Sequence, residues 1–234
     1  FPERGQLLCG QFGFGTCGFP IYQPLWALLI EPMHPVSERL TIHQTYGYFA
    51  DLSEQLSVGN IDLAICPVVS SEIPSHLTFR PILRGRNVIA CAPSHPLARK
   101  SAFKFEDISA YPWIAPPAGS PLYTDLKTAL ERIGITDFRV SFTGGSLASI
   151  ISVMAGSESL TVLPYSVVFM QRAAKTITAL PVKLEHPERE LGLLWHINRP
   201  MRPAVRRFQK FLEAEFAGLA QRIDERGREN VWRR

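Results

Sequence analysis

Three glycines, Gly13, Gly15 and Gly18, fall in the order G-x-G-x-x-G within the stretch GFGTCG. Between a strand and a helix, that order lets backbone N–H groups approach a pyrophosphate, so the first chemistry it suggests is dinucleotide binding. Such a site also needs a carboxylate, about 20 residues on at the end of the next strand, to hold a ribose hydroxyl. That strand, RLTIHQT, ends on His43, Gln44 and Thr45, and Glu38 stands at its other end. The helix should also run through the third glycine, whereas Phe19 and Pro20 follow Gly18. The motif therefore reads as an open turn at a helix start, and no cofactor is expected.

Other stretches offer binding chemistry. Thr143-Gly144-Gly145-Ser146 lies between an apolar strand and a helix. It is a second helix start whose N–H groups can receive a small anion, with Ser146 equally able to serve as N-cap. Tyr46, Tyr48 and Phe49 in YGYF could stack on a flat ligand while a phenol orients it, or could simply close the end of a sheet. The stiff loop Ala115-Pro116-Pro117-Ala118-Gly119-Ser120 either meets a ligand through its backbone and Ser120 or only turns the chain. His34, His95 and His186 each precede a proline and read as solvated turn residues; no H-E-x-x-H occurs, so no metal site is expected. No G-x-S-x-G elbow or Ser/His/Asp set is marked either, and catalysis has no positive sign.

Composition narrows the class. The 234 residues are 46% hydrophobic and 20% charged, ordinary for a globular protein with one large or two small domains. Much of the net charge of +4 comes from Arg202, Arg206, Arg207, Lys210 and the tail Arg226, Arg228, Arg233 and Arg234. Asp224, Glu225 and Glu229 are interspersed in that tail, which reads as a solvated face rather than a nucleic-acid patch. No apolar run reaches the roughly 18 residues of a membrane span, and FPERGQLLCG lacks the order of a signal peptide. Cys9, Cys17, Cys66 and Cys91 sit in or beside apolar runs without C-x-x-C spacing, as buried free thiols of a reducing compartment would.

Hydrophobic periodicity supplies the elements that must position these residues. A strand at 7–12 leads to a helix at 21–30, then the strand RLTIHQT, the helix ADLSEQLSVG and the apolar strand NIDLAICPV. Strand–helix alternation of this kind makes a parallel α/β layer. A second unit follows: strand NVIACAP, a short helix and strand in FEDISAYPWIAP, helix TDLKTALERIG, strand RVSFTGG, a helix at 146–155 and strand SLTVLP. Residues 158–183 close it, LGLLWHI returns as a strand, and a last helix is expected from about 203 to 223, with Phe208, Phe211, Leu212, Phe216 and Leu219 along one face.

The ordered set Gly59-x-Ile61-Asp62-Leu63-Ala64-Ile65, Ser94-His95-Pro96-Leu97-Ala98, and Met154-Ala155-Gly156 ahead of Leu163-Pro164 resembles the effector-binding domain of LysR-type transcriptional regulators. Met33-His34-Pro35 also fits that pattern, and the likeness covers about residues 5–220. Two departures stand out: Ala155-Gly156-Ser157-Glu158-Ser159 lacks the second glycine of the family's A-G-x-G, and Val36–Tyr48 is longer than usual.

The resemblance implies an α/β fold of two Rossmann-like lobes joined by two crossover strands, type 2 periplasmic-binding-protein-like, with ligand in the cleft between lobes. Lobe I would take residues 1–82 plus 188–226 and lobe II 83–187, leaving 227–234 as a tail. It further implies a fragment without the family's winged helix-turn-helix, through which alone DNA would be bound. The expected function is sensing of a small organic acid or other small anion by a cytoplasmic homodimer, or a tetramer in full length; a solute-binding protein of the same fold is the alternative. The expected ligand-binding residues are Gly15, Thr16, Cys17, Gly18, Tyr46, Tyr48, Phe49, Pro117, Ser120, Thr143, Gly145 and Ser146. Cys17 stands where relatives often carry Ser or Thr.

Overall fold

The computed structural model describes residues 10–16, 40–100, 104–144, 147–185 and 189–230. These form two compact units. The first carries strands β1 (Gly10–Thr16), β2 (Leu40–Tyr46), β3 (Leu63–Val68), β4 (Leu77–Arg84) and β10 (Glu190–His196). Helix α1 (Phe49–Val58) and helix α6 (Pro203–Asn230), as far as Ala220, complete it. The second holds β5 (Asn87–Cys91), β6 (Trp113–Ala115), β7 (Val140–Thr143), β8 (Thr161–Pro164) and β9 (Thr178–Ala179). Its helices are α2 (Phe105–Ser109), α3 (Pro121–Arg132), α4 (Leu147–Ala155) and α5 (Tyr165–Gln171).

In the first unit β3 is the centre of a five-stranded sheet ordered β2-β1-β3-β10-β4. Leu63, Ala64, Ile65 and Cys66 are all fully buried, the behaviour of a near-continuous apolar strand covered on both faces. Strands β1, β2 and β3 run parallel, and β10 is antiparallel to both its neighbours. Helix α1 buries Leu52 and Leu56, one turn apart, in a cluster with Ile61, Ala64, Cys66 and Leu194. Phe208 and Leu212 of α6 are also fully buried, on the helical stripe expected from the sequence.

Strand β1 departs from the expected 7–12. It continues through Thr16, pairing Gly13 with His43, Gly15 with Thr45 and Thr16 with Tyr46. Gly15 and Thr16 are thus ladder residues, not turn residues, because Phe12-Gly13-Phe14-Gly15 alternates with the period of a strand. Strand β4 was hidden from sequence reading by Pro81, which an edge strand tolerates because its missing N–H leaves no ladder bond unmade there. Helix α5 and strand β9 also arise within 165–183, after the expected strand SLTVLP, in a stretch whose sequence marks no element. Helix α6 runs to Asn230 rather than stopping near 223, since a lone glycine, Gly227, costs a helix only about 1 kcal/mol.

In the second unit β5 lies between β8 and β9, antiparallel to each. Strands β6 and β7 are parallel, and β6 meets Leu160 through two 2.8 Å bonds: Ile114 N–H to the Leu160 carbonyl, and Leu160 N–H to the Pro112 carbonyl. The core gathers Ile89, Trp113, Leu126, Leu130, Leu160 and Leu180. Helix α3 starts at Pro121 rather than near Thr124, because proline suits a first helical turn and Ser120 caps it.

Gly59 ends α1 in the left-handed region at φ 84°, and a Cβ there would strike the Arg199 guanidinium. Gly59→Ala should lower the unfolding free energy by at least about 1–2 kcal/mol in urea titration; an unchanged midpoint would show that this turn relaxes freely.

Candidate functional site

Open α/β sheets take ligands beyond the carboxyl ends of their parallel strands. In the first unit that edge is formed by Thr16, Tyr46 and Val68, the last residues of β1, β2 and β3. Thr16 is paired with Tyr46 on one side and Ile65 on the other. Tyr46 is 65% exposed. Tyr48 and Phe49, expected beside it on a rim, instead pack against the α1 cluster, as the sheet-closing alternative requires. The α1 start is also occupied from within: the Tyr48 N–H donates to Asp51 Oδ2 at 3.1 Å. That carboxylate satisfies a donor that an outside anion would otherwise take.

The corresponding edge of the second unit holds Ala115 and Thr143, paired at the ends of β6 and β7. Thr143 is exposed, and Pro117 is exposed on the loop after β6. Ser120 is buried, and its Oγ accepts the Tyr123 N–H at 3.2 Å, so the hydroxyl serves first as the α3 cap. A Cβ on Gly144 would collide with the Phe142 ring, which accounts for one glycine of the TGGS turn. Cys17, Gly18, Gly145 and Ser146 lie outside the described residues.

The residues that carried the family resemblance turn out to tie elements together. Asp62, just before β3, takes a 2.6 Å bond from Arg202, just before α6. His95 is buried, not solvated as its place before a proline suggests. Its Nδ1 accepts the Leu97 N–H at 3.1 Å, which leaves the proton on Nε2 to face the Glu158 carbonyl at 3.2 Å. Tyr111 lies against the ring, 4.4 Å between centroids. His34 and His186 are outside the described residues. Cys66 and Cys91 are buried and neither is in a disulfide, and burial pushes the Cys91 thiol up to about 12.

Among the described residues no cluster of three or more metal-ligating side chains occurs, and no helix is long and apolar enough to cross a membrane. Sequence reading missed a surface depression of about 400 Å³ at the other end of the first unit's sheet, where Arg80, Trp195, Arg206 and Lys210 meet. Its signal was present as charges four apart, Arg202, Arg206 and Lys210, following the apolar strand that ends in Trp195.

The architecture is that of the periplasmic-binding-protein-like regulatory domains. The family model described as the LysR substrate binding domain matches residues 26–217, and the chain belongs to that family. The DNA-binding transcriptional dual regulator OxyR of Escherichia coli K12 is 22% identical over 227 residues, covering 94% of this chain and 71% of its own length. The hydrogen peroxide-inducible genes activator of Escherichia coli O6:H1 matches with the same identity and coverage. Among solved structures, the effector-binding domain of QuiR in complex with shikimate superposes with a TM-score of 0.65 at 18% identity, covering 90% of this chain and 98% of that one.

Burial holds the His95 pKa below its ordinary value, with the Glu158 carbonyl offsetting only part of the effect. The unfolded chain therefore takes up a proton near pH 6.5 that the native imidazole accepts only at lower pH. Native stability contributed by neutral His95 is present above that pH and lost as pH falls. Thermal midpoints between pH 7 and 5 should decline less steeply in His95→Gln than in the unsubstituted chain; parallel declines would contradict this.

Proposed function

We propose that the chain is the small-molecule-sensing domain of a LysR-type transcription regulator, and that its ligand is a small organic acid or other small anion. The observation that carries this reading is the pairing of Thr16 with the exposed Tyr46 at the carboxyl ends of adjacent parallel strands. A ring there can stack on the flat body of a ligand, while a hydroxyl takes its carboxylate. In the second unit Thr143, exposed at the end of β7, offers a hydroxyl at that unit's own strand edge. Gly15, Cys17 and Gly18 in the first unit and Pro117, Gly145 and Ser146 in the second flank their strand ends in sequence. Tyr48 and Phe49 contribute packing within the first unit, and Ser120 contributes a helix cap within the second. Shikimate, the molecule bound by the QuiR domain, is a hydroxylated carboxylic acid and belongs to the proposed class.

In this reading the domain works in the cytoplasm as part of a homodimer, and ligand binding biases DNA binding by a separate domain of the regulator. A ligand shifts such an equilibrium only by its difference in affinity for the two states, and a 1:99 to 99:1 switch needs roughly 10⁴-fold preference. Thiol chemistry at the described cysteines is not the signal. A reactive cysteine needs an accessible thiolate, and Cys66 and Cys91 are fully buried, with Cys91 held protonated at neutral pH. The peroxide response named for one Escherichia coli relative is therefore not carried by either.

Thermal shifts against a panel of aliphatic and aromatic carboxylates test the reading. An acid at 100 times its dissociation constant should add about 2.7 kcal/mol of stability. Its affinity should fall at least about tenfold in Thr16→Val and in Thr143→Val, the loss of roughly one charge-assisted hydrogen bond. A hit whose affinity ignores both substitutions would overturn the assignment.

A further inference from the structure

The first unit carries a second receptive surface that the sensing reading does not use. Strand β4 is the edge of the sheet, and Arg80 on it pairs with Leu193 of β10, two residues before Trp195. Arg206, Gln209, Lys210 and Glu213 fall at i, i+3, i+4 and i+7 along α6, a single stripe of the helix. An amphipathic helix ordinarily fills such a stripe with apolar residues where it meets a sheet. Here the stripe is polar and borders the depression of about 400 Å³, which Trp195, Pro200 and Met201 also line.

The charges in this depression do not balance. Arg80 pairs with Glu213 at 3.1 Å and the Gln209 amide donates to the same Oε1 at 3.0 Å, so the charge of Glu213 is already offset by Arg80. Arg199 donates to the Leu56 and Ser57 carbonyls at 3.1 and 2.6 Å, capping α1 while keeping its positive charge. Arg202, one turn before Arg206, is neutralised by Asp62. Arg206 and Lys210 are exposed and meet no acidic side chain among the described residues. They also stand four apart on one helix, the spacing at which like charges oppose helix formation. Three positive charges, from Arg199, Arg206 and Lys210, thus line a depression whose one carboxylate already has two partners.

We propose that this depression is a separate site for a small polyanion, a molecule carrying two or more carboxylate or phosphate groups. Its volume lies within the range of small-molecule sites. Arginine offers forked donors suited to carboxylate and phosphate alike, and lysine adds a mobile point charge. Trp195, Pro200 and Met201 give the ligand's carbon skeleton an apolar surface to lie on. Arg199 links the site to the α1 terminus, since the same guanidinium occupies the space beside Gly59 and lines the depression.

Calorimetric titration of the 234-residue chain with citrate and with inorganic pyrophosphate, at fixed ionic strength, tests the proposal. At least one probe should bind saturably, at least tenfold more weakly in the doubly substituted Arg206→Ala, Lys210→Ala chain, and with unchanged affinity in Arg207→Ala, an exposed neighbour outside the depression. Preference for citrate or for pyrophosphate decides between the carboxylate and phosphate classes. Lys210→Gln, a milder change at an exposed position, should show part of the loss and serves if the double variant has a lowered melting point. Absence of saturable binding to either probe overturns the site, and so does an equal loss in Arg207→Ala, which would mark a diffuse charge effect.

Discussion

Everything in the first unit is indexed to the burial of β3. Its residues from Leu63 to Cys66 have no access to solvent, so a slip of one residue would exchange the two apolar faces and leave the cover of α1 mismatched. Held in this register, β3 aligns Ile65 with Thr16 and Ala64 with Leu194. Parallel pairing on one side and antiparallel pairing on the other then give the sheet two chemically different ends. The carboxyl end gathers Thr16 and Tyr46; the opposite end gathers Trp195 and the cations of α6. Both proposed surfaces thus depend on one buried strand.

The motif residues that identify the family do structural duty in this chain. Gly59 permits a left-handed turn and leaves room for Arg199, Asp62 anchors Arg202, and His95 stitches a 3₁₀ turn to the Glu158 carbonyl. Exposed ion pairs such as Asp62–Arg202 contribute under about 1 kcal/mol. Their main effect is to fix where β3 and α6 begin, and hence where the strand ends lie.

Long periodic elements were legible in the sequence because burial alone writes them: α1 from Leu52 and Leu56, β3 and β10 from unbroken apolar runs, and α6 from its aromatic stripe. The candidate site was less legible, since glycine has several uses. Gly13 to Thr16 satisfy both a turn motif and an alternating strand, and pairing with β2 decides for the strand. The YGYF residues divide by burial, which no local pattern reveals: Tyr46 points to solvent while Tyr48 and Phe49 join the core. The cationic depression needed tertiary structure, because Arg80 comes to Arg206 and Lys210 only through the β4–β10 pairing.

The proposed ligand position is at the carboxyl ends of the parallel strands. Backbone amide shifts of the isotope-labelled chain, followed during titration with the carboxylate that stabilises it most, test this residue by residue. Saturable shifts should centre on Thr16 and Tyr46 in the first unit and on Thr143 in the second. Saturable binding that leaves those three amides unmoved would contradict it.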